Sequence, residues 1–316
     1  MHWRWLAVSL LVAATRPAAA DDNDLTVSRL GTVTGSGTAG ATVVPDQLAF
    51  RSLASQLGVV LAPHLLTPAD TIGFGGFQFT VDASTTTIDQ GAKYWRALDK
   101  PTGSMGTLGV FVRKGLWLPL PSFEVGIGAV HLDSSQIWAA QLYTKLGVHE
   151  GYHDLPLPSV SVRGSVSRVM NQREIDLTVA SLDITVSKHV GVGGTWRFDP
   201  YAGWNYLWIV PRSEVLDGTP TVDALGPANM DDAKLNFIFR DESAVTRTRL
   251  FVGAKSQYGP LQLALEFQLT FAGNSVDDVT GATGDCTAAP TVNTKCDVPD
   301  TARAQTGLSL SAGFDF

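Results

Sequence analysis

One pattern constrains the fold of this chain more than any other: from about residue 70 onward, apolar and polar residues alternate with a period of two. The alternation recurs in segments long enough to cross a membrane as tilted strands, which takes about 9–11 residues each. Between them lie turn residues and loops. The ten segments cover residues 72–88, 106–113, 123–132, 136–150, 159–169, 174–188, 194–209, 244–258, 261–272 and 304–316.

Three segments show the pattern and its interruptions. The seventh is the clearest, with Trp204, Tyr206 and Trp208 alternating with polar or smaller residues. In the first, the pair at residues 75–76 is Gly-Gly and predicts a bulge that shifts the alternation. In the sixth, the register slips near Ser181. We therefore predict a bulge at residues 75–76 and a register slip near Ser181.

The connections between segments separate a membrane barrel from a soluble sandwich. If the first segment starts on the periplasmic side, the two longest connections, residues 210–243 and 273–303, both lie outside. The connections on the other side are no longer than residues 114–122. Short periplasmic turns, long outer loops and an even number of strands are typical of outer-membrane barrels.

Aromatic residues provide a second indication. They fall at the predicted strand ends on both sides, as expected for rings that sit at the two membrane interfaces. The inner group contains Phe74, Trp117, Phe123, Trp196, Tyr258, Phe314 and Phe316. The outer group contains Trp138, Trp204, Tyr206, Trp208 and Phe271, while Trp95 belongs to neither group.

The last ten residues, GLSLSAGFDF, alternate and end in an aromatic residue. They resemble the last strand of bacterial outer-membrane β-barrel proteins. The resemblance implies that Phe314 and Phe316 form the signal read by the barrel assembly machinery, and that outer-membrane lipids surround the wall. We predict an all-β fold: a transmembrane up-and-down antiparallel barrel of about ten strands, with twelve possible, and a short N-terminal helical or extended segment.

The first twenty residues predict a secretory signal peptide. Arg4 supplies a positive charge, an apolar stretch follows at residues 6–14, and Ala18, Ala19 and Ala20 form a small-residue cleavage site. We expect export across the inner membrane and localisation in the outer membrane. The expected organisation is a signal peptide at 1–20, a periplasmic lead-in at 21–69 and a barrel at 70–316.

Residues 46–62 predict a helix in the lead-in, since Leu53, Leu57, Val60 and Leu61 recur at helical spacing and Asp46 can cap the N-terminus. This helix could plug the periplasmic mouth of the barrel. A helix packed beside the first strand, or a loose linker, fits the sequence equally well. Two prolines, at positions 63 and 68, end it before the first strand.

Bulk properties exclude some functions. A net charge of −7 disfavours nucleic acid as a partner. Cys286 and Cys296, the two cysteines of the chain, predict a disulfide in an oxidising compartment. Zinc binding is the alternative, but Zn²⁺ takes three or four N or S ligands and no histidine lies between the two cysteines. We expect no metal and no cofactor.

The inward-facing charged residues are the candidate functional positions. They could form a selectivity lining or a structural network that fills the lumen, because unpaired buried charges are costly. Ten strands predict a narrow or occluded pore, since eight leave room only for side chains and wide channels need 16 or more. The predicted set is Arg113, Glu124, Lys145, Arg163, Asp176, Asp183, Arg197, Asp199, Arg247, Arg249, Lys255, Glu266 and Asp315.

Histidines raise the alternative of an enzyme at the barrel rim. His131 lies next to Asp133, Ser134 and Ser135, which would suit a lipase or protease. A second group at His149, Glu150 and His153 has no evident nucleophile. We expect a protein without catalytic activity, acting as a narrow channel for an unidentified solute or as a structural surface protein. A plugged transporter of hydrophobic or lipid ligands is a further alternative.

Overall fold

The structure is a computed structural model that describes residues 21–34, 42–64, 66–117, 122–151, 157–193, 195–218, 235–277 and 298–316. The predicted signal peptide and the predicted disulfide between Cys286 and Cys296 lie outside the described residues. Both stay predictions.

Ten long strands form the wall. In chain order they are β1 (Phe77–Thr87), β2 (Ser104–Leu116), β3 (Phe123–Leu132), β4 (Trp138–His149), β5 (Ser159–Met170), β6 (Ile175–Ser187), β7 (Trp196–Ser213), β8 (Val245–Tyr258), β9 (Leu261–Thr270) and β10 (Gln305–Asp315).

The strands are arranged around a closed barrel in sequence order. Each pairs antiparallel with the next, and β10 returns to pair with β1, where Phe314 lies opposite Phe79. Closure therefore gives each of these ten strands a hydrogen-bonded neighbour on both sides. The prediction of a ten-stranded up-and-down antiparallel barrel is confirmed.

The two ends of the barrel differ. At the short-turn end the connections span residues 117–122, 150–158, 188–195 and 259–260. At the long-connection end they span residues 88–103, 133–137, 171–174, 214–244 and 271–304. The last strand ends at the short-turn end, where the backbones of Phe77 and Phe316 exchange two hydrogen bonds of 2.8 Å.

Two details of the predicted strands are wrong. The first strand begins at Phe77, because residues 73–76 form a tight turn in which Gly73 and Gly75 adopt positive φ. This turn stands where we predicted a bulge at residues 75–76. In β6 the alternation runs without a slip from Ile175 to Ser187. The half of this strand nearest the long-connection end therefore turns its apolar residues inward. A register shift does occur in β4, between Gly147 and His149.

Residues ahead of the barrel form one α-helix, α1 (Gln47–Val60), and a small hairpin that pairs Gly31–Thr34 with Thr42–Pro45. A 3-10 turn covers Val27–Leu30 and another, in the β1–β2 connection, covers Lys93–Ala97. Within the described residues, no helix is both long and apolar enough to cross a membrane.

Candidate functional site

The helix α1 is buried on nearly all sides. Asp46 caps its N-terminus by accepting a hydrogen bond from the backbone N–H of Ala49 at 3.0 Å. Leu53 and Leu57 are fully buried in the largest apolar cluster of the described residues. That cluster also contains Leu177, Leu207 and other inward residues from the parts of the strands nearest the long-connection end. The helix therefore closes the long-connection end of the barrel by packing its apolar side chains against the inner wall.

The polar residues of α1 are also buried, and each is held by a connection of the long-connection end. Arg51 forms an ion pair with Glu242 at 2.9 Å, with both side chains fully buried. The Ser55 hydroxyl donates to Asp300 at 2.6 Å. These contacts tie the helix to the two longest connections of the barrel.

The β1–β2 connection holds the same helix. The Trp95 indole N–H donates to the side-chain oxygen of Gln56 at 2.6 Å. Trp95 has no exposed surface, which explains why this residue belongs to neither aromatic belt.

Residues 21–30 lie across the remaining connections of the same end. The backbone N–H of Asn23 donates to Ser134 at 2.9 Å, and that of Ser28 donates to Glu174 at 3.1 Å. Together with the hairpin and α1, these residues form a layer that we call the cap: residues 21–34 and 42–60. The cap lies at the long-connection end, whereas the sequence suggested a plug at the short-turn, periplasmic mouth.

From the cap, the chain passes down the inside of the barrel as a non-helical segment with several bends, in which Leu66 adopts a positive φ of 49°. We call residues 61–64 and 66–73 the threaded segment. At its upper end Gln141 and Ser167 donate hydrogen bonds to the Leu61 carbonyl, at 3.2 and 2.8 Å. Lower down, Arg249 donates to the Pro63 carbonyl at 2.6 Å.

His64 occupies the middle of the lumen. Its carbonyl accepts a hydrogen bond from Arg163 at 3.1 Å. Its ring lies within 3.3 Å of the polar atoms of three inward side chains, contributed by β1, β9 and β10: Ser84, Gln268 and Ser309. The segment thus bridges opposite parts of the wall.

The lower half of the threaded segment is held in the same way. The backbone N–H of Leu66 donates to Glu266 at 3.0 Å and that of Ile72 donates to Glu124 at 3.1 Å. The Lys145 ammonium donates to the Asp70 carbonyl at 3.0 Å. Backbone groups that would cost free energy if left unpaired inside the barrel therefore find partners along its whole height.

Two prolines suit this path. Pro63 and Pro68 have no N–H to satisfy, and proline biases the residue before it towards extended backbone. Both carbonyls accept hydrogen bonds, from Arg249 and Lys145. The prolines therefore suit a non-helical path after α1, in addition to ending the helix as predicted.

The inward charges are paired with one another as well as with the threaded segment. Buried ion pairs join Arg163 to Asp183 at 2.7 Å and Lys145 to Glu124 at 3.2 Å. A third pair joins Lys255 to Asp315 at 2.8 Å near the short-turn end. These three pairs join predicted lumen residues to one another inside the barrel.

The structure places all but one of the thirteen predicted lumen residues inside the barrel. Asp176 is the exception: it points outward from β6 and forms an ion pair with the exposed Arg168 at 2.8 Å. The assignment failed because the alternation of β6 has no slip, so Ile175 and Leu177 face inward against the cap.

Several inward residues were missed because they are uncharged or follow a turn. Tyr143 donates a hydrogen bond of 2.5 Å to Glu124, and its ring faces the guanidinium of Arg163 at 5.1 Å. Glu150 accepts hydrogen bonds from Thr71 just beyond β4. Tyr143 alternates correctly in the sequence, so its position was predictable even though its role was not.

A cavity of about 260 Å³ remains at the short-turn end. Its wall carries both signs of charge, from Asp70, Lys145, Arg197, Lys255 and Asp315. Arg197 is the most exposed of the predicted lumen residues and binds Asp199 at 2.7 Å. The threaded segment lines one side of this cavity through residues that include Thr67, Asp70 and Gly73.

The structure places the rim histidine between a backbone carbonyl and an aromatic ring. The His131 ring lies 2.9 Å from the carbonyl of Ser135 and packs against Trp138. The Ser135 hydroxyl donates instead to the Leu132 carbonyl at 2.8 Å. Of the second group, His153 lies outside the described residues. No cluster of metal-binding residues occurs in the part of the chain that the structure describes.

Burial changes the ionisation of two cap-binding carboxylates. Burial raises the pKa of Glu242 to about 7, although Arg51 and Gln47 oppose the shift. Burial also raises the pKa of Asp300, against its hydrogen bond from Ser55.

We therefore expect the cap to be held more firmly at pH 5 than at pH 8. The pKa of Glu242 is raised from 4.5 to about 7. Its stabilising contribution is therefore complete below pH 4.5 and is lost as the pH rises through about 7. Hydrogen exchange of the α1 amides, corrected for intrinsic rates, measures the change. Glu242→Gln should respond less to pH than the wild type, and an equal response would contradict the assignment.

The outer face of the wall completes the picture. Its exposed side chains form an apolar band wider than a soluble protein carries. The band contains Val81, Leu108, Val110, Ile127, Leu142, Val166, Ile184, Val252, Leu265, Leu308 and Leu310. Exposed aromatic residues border it at both ends: Trp117, Trp196, Tyr258 and Phe314 at the short-turn end, and Trp138, Trp208 and Phe271 at the other.

The chain is an outer-membrane β-barrel by architecture. No protein-family model and no curated protein matches its sequence. Among solved structures, it is similar to the outer membrane protein OprG from Pseudomonas aeruginosa, with 11% identity, a TM-score of 0.30, and coverage of 80% of this chain and 99% of that one.

Two further similarities are to Ail, the attachment invasion locus protein of Yersinia pestis, and to the transport unit of the autotransporter AIDA-I from Escherichia coli. For Ail the identity is 12%, the TM-score 0.25 and the coverage 77% of this chain and 99% of that one. For AIDA-I the values are 10%, 0.33, 86% and 99%. At these identities and TM-scores, the similarities say nothing about the activity of this chain. Its architecture is established by the closed ten-stranded barrel described above.

Proposed function

We propose that this outer-membrane barrel is closed in its resting state and acts as a structural surface protein that holds its cap in place. The observation that supports this function is the threaded segment, which contacts the inner wall at Leu61 near one end of the barrel and at Ile72 near the other. Eight strands leave room only for side chains, so ten leave space for little more than this one extended chain.

Opening such a lumen would be costly. Removing the segment would leave Arg249, Lys145 and Glu266 without the backbone partners they hold in the structure. A hydrogen bond to a charged group contributes about 1.5–3 kcal/mol net of its exchange with water. Losing several of these hydrogen bonds together disfavours the open lumen, so the resting state stays closed.

The second candidate is a narrow solute passage that opens when the segment moves. The cavity at the short-turn end favours it, because a hydrophilic solute of either charge would find a partner there. Opening would then need a ligand or partner that replaces the lost contacts. The solute remains unassigned.

Lipids of the outer membrane contact the apolar band, and the assembly machinery binds the last strand through Phe314 and Phe316. The rings of these two residues stack at 6.1 Å on the outer surface of the short-turn end. We propose no catalytic activity, cofactor or nucleic acid partner. Replacing His131 by Ala should leave the barrel closed in bilayer recordings, because its ring contacts a carbonyl and an indole at the rim rather than the threaded segment.

Planar-bilayer recording tests the closed state. The chain of residues 21–316 should show no conductance steps above the bare bilayer, because the threaded segment blocks the lumen. A chain that lacks residues 21–73 should show steps, since its charged lumen becomes accessible to water and ions. A steady conductance of the complete chain would overturn the proposal.

A full-length variant covers the case in which the truncated chain does not fold. Replacing residues 61–73 by Gly and Ser keeps the chain length but removes the His64 ring and the two prolines. We expect flickering conductance from this variant. Arg168→Ala serves as the matched control, because Arg168 lies outside the lumen and should leave the barrel closed. A folded variant that stays closed would show that wall side chains alone block the pore.

A further inference from the structure

The cap and the start of β1 lie at opposite ends of the barrel. The cap contacts the long connections through Arg51, Ser55 and Asn23. The chain enters β1 at Phe77, beside the last residue Phe316 at the short-turn end. The threaded segment therefore spans the height of the barrel on the inside.

The lengths agree with a complete crossing. β1 contains 11 residues, which at a rise of about 3.3 Å and a tilt of about 40° span about 28 Å. Thirteen residues reach up to about 43 Å when fully extended, so the threaded segment is long enough to span this height even with its bends. The contacts also descend in order, from Gln141 near the top of β4 to Lys145 lower in the same strand and Glu150 beyond its end.

We infer that this barrel carries its own N-terminal segment across the outer membrane and displays the cap on the cell surface. The inference rests on the outer-membrane orientation, in which short turns are periplasmic and long loops are outside. It does not require that the lumen stay closed. A periplasmic lead-in, the arrangement we expected from the sequence, would leave the cap on the other side.

The crossing constrains how the barrel forms. An α-helix with its side chains is about 10–12 Å wide, and side chains fill the lumen around His64: Ser84 and Gln268 on one side and Arg163 on the opposite side. The folded α1 could not slide through this space afterwards. We infer that the β1–β10 seam, where Gly313 pairs with Thr80, closes around an extended chain already in place.

The cap depends on the long connections for its own structure. Its apolar residues are buried against the long connections: Phe50 stacks on Phe239 with ring centroids 4.3 Å apart, and Leu30 has no exposed surface. The ion pair of Arg51 with Glu242 needs the same connection. A cap retained in the periplasm would lose these partners and expose a charged and apolar surface that needs covering.

Labelling of intact cells tests the inference. A short epitope replaces the residues between Thr34 and Thr42, which are the exposed ends of the cap hairpin. We expect an antibody or a membrane-impermeant reagent to reach it on intact cells. The signal should match that of an epitope placed after Lys100, an exposed residue in a long connection, within about two-fold.

An epitope in the turn at Gly259 is the periplasmic control and should become reachable only after the outer membrane is permeabilised. If the cap epitope behaves like the Gly259 epitope while the Lys100 epitope is labelled, the display of the cap is refuted. If the Gly259 epitope is labelled on intact cells and the Lys100 epitope is not, the orientation itself is inverted and the inference fails with it.

A smaller probe covers the case in which an inserted epitope blocks folding. Thr34→Cys, in a background with Cys286→Ser and Cys296→Ser, should react with an impermeant maleimide on intact cells at the rate of Lys100→Cys. Reaction only after permeabilisation would overturn the inference. Bilayer conductance is measured separately, so an open pore with a labelled cap would refute the closed barrel and leave the display of the cap standing.

Discussion

Replacing Arg163 by Ala is expected to destabilise the folded barrel by about 3–5 kcal/mol, the usual cost of removing one partner of a buried ion pair. Arg163 donates to Asp183 at 2.7 Å and to the His64 carbonyl at 3.1 Å. Its guanidinium also lies over the Tyr143 ring. The substitution would leave a buried carboxylate without its cation, and the threaded segment without one of its central contacts.

Arg168→Ala is the matched control on the same strand. Arg168 also pairs with an aspartate, Asp176, but its side chain is 65% exposed. Exposed pairs contribute about 0–1 kcal/mol, so this variant should unfold within about 1 kcal/mol of the wild type. Denaturant titration in lipid vesicles measures both variants. Equal effects of the two substitutions would show that the buried network does not stabilise the barrel.

Replacing Gly313 by Ala should prevent a large fraction of the protein from closing its barrel. A methyl group at this position would lie 2.0 Å from the carbonyl oxygen of Phe79 and 2.8 Å from the Cα of Thr80. Both atoms belong to the backbone of β1, so no side-chain rotation relieves the clash. Overpacking of this kind costs about 1–3 kcal/mol, occasionally more, and here it acts on the seam that completes the barrel.

Gly307 is the matched control on β10. A methyl group there would meet its nearest neighbours at 3.5 Å, an ordinary contact with the side chains of Gln268 and Thr86. Gly307→Ala should therefore close normally. The folded fraction is read from the mobility of unheated samples in detergent gels, where a closed barrel migrates differently from an unfolded chain. Normal closure of Gly313→Ala would contradict the tight seam.

Some of this structure was determined by local patterns. Period-two alternation identified all ten wall strands because inward and outward side chains face different solvents. In β9 the pattern is complete, so the inward position of Glu266 followed from sequence. The register of β6 did not follow, because the inward side of its upper half is apolar: Ile175 and Leu177 face the cap rather than lipid.

The candidate site was partly predictable for the same reason. Alternation placed Arg163, Arg249 and Lys145 in the lumen, where the structure has them. It could not reveal what they bind, because their partners are backbone carbonyls of a segment far away in the sequence. Every residue has a backbone carbonyl, so the sequence does not show which of them accepts a hydrogen bond.

The sequence by itself was enough to predict the ten-stranded wall, the end that carries the long connections, and a helix ahead of the first strand. Those features depend on spacings of two and three to four residues, which a local reading detects. Only the tertiary structure decided on which end the helix lies and that the chain reaches it through the lumen. The position of the helix and the path of the chain both depend on the barrel closing around the threaded segment. This brings together residues far apart in the sequence, such as His64 and Ser309, which are 245 residues apart.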